Sequence, residues 1–229
     1  MMANEQNYSD SVVHNVPQEL TSEDKKYAAA YLNETDETRE NAVAEIRRWS
    51  EDELRIRIYD FLILRFLRVC KFNLEKTKIR IQNYYKQQSD LPEWRMNKDP
   101  FQQELQELLD LGLFLPLRKL DSRGRLILIA RATRYNPTIH KLSNFIKIGF
   151  MMVELAMKNN ATASIYGCAS FIDVVNPTIR HITQFRPSTL MNIVHTWQNC
   201  YPIRMQSINI INAPTFFDVI IRIMKSFMT

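Results

Sequence analysis

Apolar positions in the first half of the chain recur at helical spacing. Residues 1–20 are polar and aperiodic and are read as a flexible tail. The charged text from Thr21 to about Glu53 then sets Ala42, Ile46 and Trp49 on one helical stripe. A helix is predicted around Asp60–Val69, and another opens at Asn73, whose side chain can cap the first turn. After "SDLPEW" the period changes. "GRLILIARA" (Gly124–Ala132), "SFIDVV" (Ser170–Val175) and "SINIIN" (Ser207–Asn212) are short and rich in β-branched residues, which predicts strands. Between them "SNFIKIGFMMVELAMK" puts Ile146, Gly149, Phe150, Val153 and Met157 on one face. "PSTLMNIVHTWQNCY" does the same with Leu190, Ile193, Val194, Trp197 and Tyr201. Strands alternating with helices imply parallel pairing through right-handed crossovers. The expected class is α/β, a mostly parallel sheet with crossover helices, preceded by a small all-α unit.

The last stretch, "INAPTFFDVIIRIMKSFMT", is apolar on nearly every side. Counted as one helix from Pro214, it places Phe216, Val219, Ile220, Ile223, Met224 and Phe227 on one face. Phe217, Ile221 and Met228 lie on the flank, and Asp218, Arg222 and Lys225 form a thin polar strip. Burial between two layers of core is the simpler account. A helix that covers an apolar cavity with one face and touches a greasy surface with the other is the alternative. The helix alone does not decide between them.

Composition narrows the chemistry. The chain has 229 residues, enough for one main domain and an appendage. It shows neither a secretory leader nor an uncharged apolar run of about 18 residues. Three cysteines without metal-ligand spacing fit a reducing, cytosolic setting. With only Gly112, Gly124, Gly149 and Gly167, no dinucleotide fingerprint, Walker loop or G-x-S-x-G elbow can be written. The four histidines form no i,i+4 pair, so no metal site and no cofactor is expected, and no enzyme activity. Residues 1–40 carry nine acidic and three basic side chains, whereas from Leu111 onward fourteen basic residues face four acidic ones. Such a basic body suits an anionic partner, a nucleic acid or a phospholipid surface, and an ordinary solvated surface accounts for it equally well. A nucleic acid is the less suited, since no groove-reading helix or RNP-type aromatic strand is visible.

Four stretches carry a resemblance. "FLILRFLRVCKFNLEKTKIRIQNYYK", "DSRGRLILIARATRYNP", "FIDVVNPTIRHITQFRPS" and "YPIRMQSINIINAPTFFDVIIRIMKSF", in this order, resemble the CRAL-TRIO family from about Ala42 to Thr229. The resemblance implies a helical unit over 21–92 and a lipid-binding domain over 99–229, with a pocket floored by the sheet and the last helix as a mobile gate. Carried over by position, the floor candidates are Ser170, Ile172, Ile208 and Ile210, and strand alternation independently gives 170/172 and 208/210 a common face. The crossover helices offer Gly149, Val153, Ile193 and Trp197. The connecting segments offer Ile179, Phe185, Tyr201 and Ile203, and the gate offers Phe216, Val219, Ile220 and Ile223. For each of these, plain core packing is the competing account.

These candidates are apolar save Ser170 and Tyr201, with His181 a further polar neighbour better suited to bridging local backbone. That suits a long apolar molecule with one polar handle, such as a retinoid, tocopherol or other isoprenoid. The resemblance implies transfer of that lipid between membranes by a monomeric, cytoplasmic protein peripheral at membranes; a non-transferring lipid sensor or surface adaptor would use the same pocket. It also offers Arg68, Lys71 and Arg204 as phosphoinositide contacts, although Cys70 stands where the family pattern carries arginine. The family continues beyond a proline-containing motif where this chain has Ser226 and then ends. The domain is therefore expected to be incomplete at its C-terminus, with an exposed, aggregation-prone gate.

Overall fold

The computed structural model describes residues 20–228. The tail reading for 1–19 lies outside the described residues. Leu20, which that reading included, is half-buried against Ala28, Leu32 and Ile165. The described residues begin with five helices: α1 (Ser22–Leu32), α2 (Asp36–Asp52), α3 (Asp60–Val69), α4 (Leu74–Asp90) and the single turn α5 (Pro92–Arg95). Their starts follow local chemistry. Thr21 and Asp24 form a reciprocal capping box on α1, Thr35 and Thr38 another on α2, and Asn73 Oδ1 accepts from the Lys76 amide at 2.9 Å on α4. Ile46, Ile63, Phe66, Leu67 and Ile81 are fully buried where α2, α3 and α4 meet.

After α6 (Gln103–Asp110) come β1 (Phe114–Pro116), β2 (Leu126–Arg131), α7 (Leu142–Asn159), α8 (Ala163–Tyr166), β3 (Cys168–Asp173), α9 (Ile179–Gln184) and α10 (Pro187–His195). The last of these runs into a π-helical turn, Thr196–Cys200, and then β4 (Met205–Ile211). A 3-10 turn, Thr215–Phe217, leads into α11 (Asp218–Ser226). The sheet order is β1-β2-β3-β4, with β2, β3 and β4 parallel and β1 antiparallel at the edge. The expected α/β class stands. The edge strand β1 was not predicted: three residues ending in proline are too short for alternation to register.

A buried ion pair ties the helical unit to the sheet domain. Arg68 donates from Nε and Nη2 to the Glu34 carboxylate at 2.8 Å each and from Nη1 to Ser164 Oγ at 2.7 Å on α8. Burial alone would raise the Glu34 pKa, but the Arg68 hydrogen bonds and charge, with Arg39, hold it below the usual carboxylate value.

Candidate ligand cavity

The register of the sheet builds a floor. Leu128, Ser170 and Ile208 stand side by side on β2, β3 and β4, and Ala130, Ile172 and Ile210 form the next row; all six face one cavity. A bulge pairs Cys168 with Met205 and Ala169 with Ser207, so one extra β4 residue lets Met205 face the cavity as well as Ile208. One face of α7 supplies Ile146, Gly149, Phe150 and Val153. From α10 and the π turn come Leu190, Ile193, Thr196 and Trp197, followed by Tyr201 and Ile203. Phe217, Ile220 and Met224 close it from the 3-10 turn and α11. The cavity, partly open to solvent, has a volume of about 210 Å³.

Gly149 sets how closely α7 can approach the sheet edge: a Cβ there would lie 2.9 Å from Phe114 Cζ, and Phe114 is itself part of the wall. Gly167, before β3, has φ +86° and sits so near the Arg204 carbonyl that a Cβ would come within 2.5 Å of it.

The polar groups of the wall are mostly committed. Tyr201 donates its hydroxyl to Glu154 Oε1 at 2.9 Å, Thr133 donates to the Val175 carbonyl at 2.6 Å, and Thr196 to the Asn192 carbonyl at 2.7 Å. His181 Nδ1 accepts from the Thr178 amide at 3.1 Å, which leaves Nε2 to donate to the Tyr135 carbonyl at 2.9 Å; this is the neutral Nε2–H tautomer, assigned from its partners. Among the lining hydroxyls, Ser170 Oγ alone has no hydrogen-bond partner among the described residues.

A cation lies directly behind the wall. The Arg95 guanidinium sits 4.6 Å from the Tyr84 and Phe150 ring centroids and 5.0 Å from that of Tyr201, with Glu154 Oε1 4.0 Å from Nη1. Lys98 Nζ holds both Glu154 oxygens at 2.7 and 2.8 Å; burial lowers its pKa, against the raising effect of Glu154. Burial, reinforced by Glu154, pushes the Tyr201 phenol well above its ordinary pKa, so it remains a donor.

Of the sixteen pocket candidates, the structure puts Gly149, Val153, Ser170, Ile172, Phe185, Ile193, Trp197, Tyr201, Ile203, Ile208, Ile210 and Ile220 on the cavity wall. Four are corrected. Ile179 is 73% exposed at the first position of α9, and His181 and Ile182 face inward instead. Phe216 and Val219 point to solvent and Ile223 is half-buried off the wall. Phe217, Ile220 and Met224, spaced i, i+3 and i+7, turn inward as one helical row, so the inward face is centred toward the flank that carries Phe217 and away from Phe216. Trp94, Phe114, Leu128, Ala130 and Phe150 also line the wall; the two β2 residues follow from the same alternation that marked Ser170 and Ile172.

The three candidate headgroup cations lie in one region, around α8 and the α1–α2 turn. Arg68 is corrected: its side chain is buried and spent on Glu34 and Ser164. Arg204 donates to the Ile165 carbonyl. Lys71 is exposed at the α3–α4 turn, its carbonyl accepting from Asn33 Nδ2 at 3.2 Å. Among the described residues no helix is long and apolar enough to cross a membrane.

Comparison with known proteins agrees with this architecture. Residues 112–229 match the CRAL/TRIO domain, and residues 35–105 match the Pinta-like UBA domain. Alpha-tocopherol transfer protein-like of Mus musculus is 26% identical over 169 residues, 74% of this chain and 48% of that protein. Clavesin-2 of Rattus norvegicus is 26% identical over 215 residues, 91% of this chain and 64% of its own length. The chain thus spans about half the length of the first of these relatives and under two thirds of the second. The crystal structure of Sfh5 shares the fold, with a TM-score of 0.51 at 12% identity over 86% of this chain and 78% of that one. With a family match over its whole sheet domain and relatives of the same kind along most of its length, this chain belongs to the CRAL/TRIO family.

Proposed function

We propose that the chain binds one small hydrophobic lipid, a retinoid- or tocopherol-like isoprenoid with a single polar end, and carries it between membranes. The observation that carries this reading is the apolar cavity over the sheet with one unengaged hydroxyl, Ser170, on its floor. A relative whose name includes tocopherol transfer supports it. Burying roughly 400 Å² of such a ligand gives on the order of 10 kcal/mol gross at about 25 cal/mol/Å². Ordering the ligand and the lid takes back a large share, so exchange with a bilayer runs near balance.

The gate is α11. At about 210 Å³ the cavity is smaller than the roughly 300–1,000 Å³ of ligand pockets, so an isoprenoid enters by displacing a wall element. In α11, Ile220 is the buried anchor, while Phe216 and Val219 are about half exposed on the outer side. The segment hangs from Asn212, which takes φ +55° and donates from Nδ2 to Asp173 Oδ1 at 2.9 Å. Opening at a membrane would put the outer apolar residues into the interface, with the exposed Arg222 and Lys225 of the same helix available to anionic or phosphoinositide headgroups. A carrier rather than a catalyst fits the wall, because its histidine has both ring nitrogens committed. We take 21–92 as the helical unit, 99–229 as the lipid domain, and a cytoplasmic monomer peripheral at membranes as the working form.

Native mass spectrometry with extraction and identification of bound lipid tests the pocket. A stoichiometric isoprenoid-sized adduct supports it, and a protein that stays empty when offered such lipids refutes it. Movement of the lipid between donor and acceptor vesicles then separates a carrier from a sensor.

A further inference from the structure

The π-helical turn Thr196–Cys200 is closed by the Tyr201 amide donating to the Thr196 carbonyl at 2.8 Å, five residues back. Such turns are rare and geometrically poor. This one comes where α10 ends, so its last carbonyls have no donor from a following helical turn. One face of α4 supplies donors from 109 to 121 residues earlier in the chain. Arg80 Nη1 donates to the Tyr201 carbonyl at 2.9 Å and Nη2 to the Gln198 carbonyl. Asn83 Nδ2 donates to the Asn199 carbonyl at 3.3 Å, and Gln87 Nε2 to Thr196 Oγ1 at 2.7 Å. Positions 80, 83 and 87 share a helical face, and Tyr84 on it stands 6.2 Å from the Tyr201 ring.

The clasped segment is also cavity wall, through Thr196, Trp197 and Tyr201. An α-helical continuation of α10 would take one residue fewer in this turn and rotate the following side chains by about 100°. Trp197 and Tyr201 would then leave their present places. We propose that Arg80 and Gln87 are positioning residues for the ligand: from outside the cavity they hold the π turn, fix where Trp197 and Tyr201 stand, and so set which lipid shapes fit. The inference rests on the lipid-binding reading and gives the N-terminal helical unit a part in selectivity.

The test uses the full chain and two fluorescent lipids of equal composition, bent cis-parinaric acid and its straight all-trans isomer. Affinities for both are measured in wild type, Arg80→Met, Arg80→Lys, Gln87→Leu and Ile46→Val. The last loosens the core of the same helical unit without touching the clasp. Arg80→Met should change the bent-to-straight affinity ratio by about two- to tenfold, the worth of an ordinary hydrogen bond. Arg80→Lys, which keeps the charge and can reach one carbonyl, should fall between Met and wild type, and Ile46→Val should keep the wild-type ratio. Amide exchange should accelerate at 196–201 in the Arg80 variants and not in Ile46→Val. Where Arg80→Met does not fold, Gln87→Leu, which removes a single bond, carries the test. An unchanged ratio in folded clasp variants that still bind overturns the inference and leaves the pocket standing. A ratio that shifts equally in Ile46→Val overturns it too. Wild type binding neither isomer would overturn this inference, while the lipid reading stands or falls on the native mass spectrometry with isoprenoids described above.

Discussion

The Tyr201 hydroxyl donates to Glu154 Oε1 at 2.9 Å, and the same carboxylate holds Lys98 Nζ at 2.7 and 2.8 Å. A residue of the cavity wall is thus anchored to a carboxylate that reaches solvent, with the buried Arg95 guanidinium 4.0 Å away. The wall is apolar inside, and its outer support is ionic. Glu154 is the acidic group paired with these two cations among the described residues, so its charge matters beyond the bond to Tyr201.

Replacing Glu154 with glutamine keeps an acceptor for Tyr201 and removes the charge. Arg95 would then be a buried cation supported by three aromatic rings alone. A stability loss of about 1–3 kcal/mol is expected, tempered because Glu154 is partly exposed. Urea denaturation measures it; a wild-type midpoint would show that geometry and not charge holds the wall.

Acid should loosen the contact between the helical unit and the sheet domain. Glu34 has its folded pKa held below the unfolded value near 4.5, so below that pH the unfolded chain binds more protons than the folded one. The stabilisation is complete above about pH 4.5 and is lost as pH falls through the depressed folded value. Glu34→Gln should cost roughly 3 kcal/mol at pH 7 by leaving Arg68 buried without its anion. It should also flatten the fall in stability as pH drops below about 4.5. Paired denaturation curves at several pH values check both; a variant with the wild-type slope would assign the acid sensitivity to other carboxylates.

Gly149→Ala should disturb the cavity more than its one methyl suggests. The added Cβ meets the Phe114 ring at 2.9 Å, and that ring is itself part of the wall. Overpacking of this kind costs about 1–3 kcal/mol. Thermal melting should show that loss, and lipid uptake should fall with it; Gly149→Ala with unchanged uptake would mean that Phe114 moves away from the ligand space.

How much of this was legible depends on where one period governs. The floor was, because β3 and, beyond its bulge, β4 alternate, so Ser170, Ile172, Ile208 and Ile210 share a face whatever lies above them. The α7 face was legible at helical spacing, although Ile146 and Phe150 belonged on the wall with Gly149 and Val153. The terminal helix was not. With apolar residues all round, spacing alone allows both the row of Phe216, Val219 and Ile223 and the row of Phe217, Ile220 and Met224, and only the cavity beneath it selects the second. Arg68 looked like a free surface cation because its partner, Glu34, stands 34 residues earlier, in a turn with no pattern of its own. The π turn lay equally out of reach, since its donors sit on α4.

Ser170 gives the most direct test of ligand polarity. Its hydroxyl faces the cavity without a protein partner among the described residues, so a ligand hydroxyl can take that place. Ser170→Ala should weaken binding of a hydroxyl-bearing isoprenoid by about five- to tenfold, the worth of one net hydrogen bond, and leave the matching hydrocarbon unaffected. Equal effects on both ligands would put the polar end elsewhere.

The two faces of the terminal helix should separate kinetically. Ile220 is buried on the cavity side, and Phe216, 49% exposed, lies on the outer side. Ile220→Ser removes apolar wall and should lower the lipid occupancy seen by native mass spectrometry. Phe216→Asp leaves the wall intact, so occupancy should stay near wild type. An aromatic side chain entering an interface contributes about 1.5–3 kcal/mol, and a carboxylate there loses that and is repelled by anionic headgroups. Transfer from donor to acceptor vesicles should therefore slow at least about tenfold in Phe216→Asp, the least that a loss of this size implies. That pattern, wild-type occupancy with slow transfer, is what a gate that opens against a bilayer requires. Wild-type transfer in Phe216→Asp would instead mean that the outer face of α11 does not meet the membrane during exchange, and loss of occupancy in the same variant would place Phe216 in the wall after all.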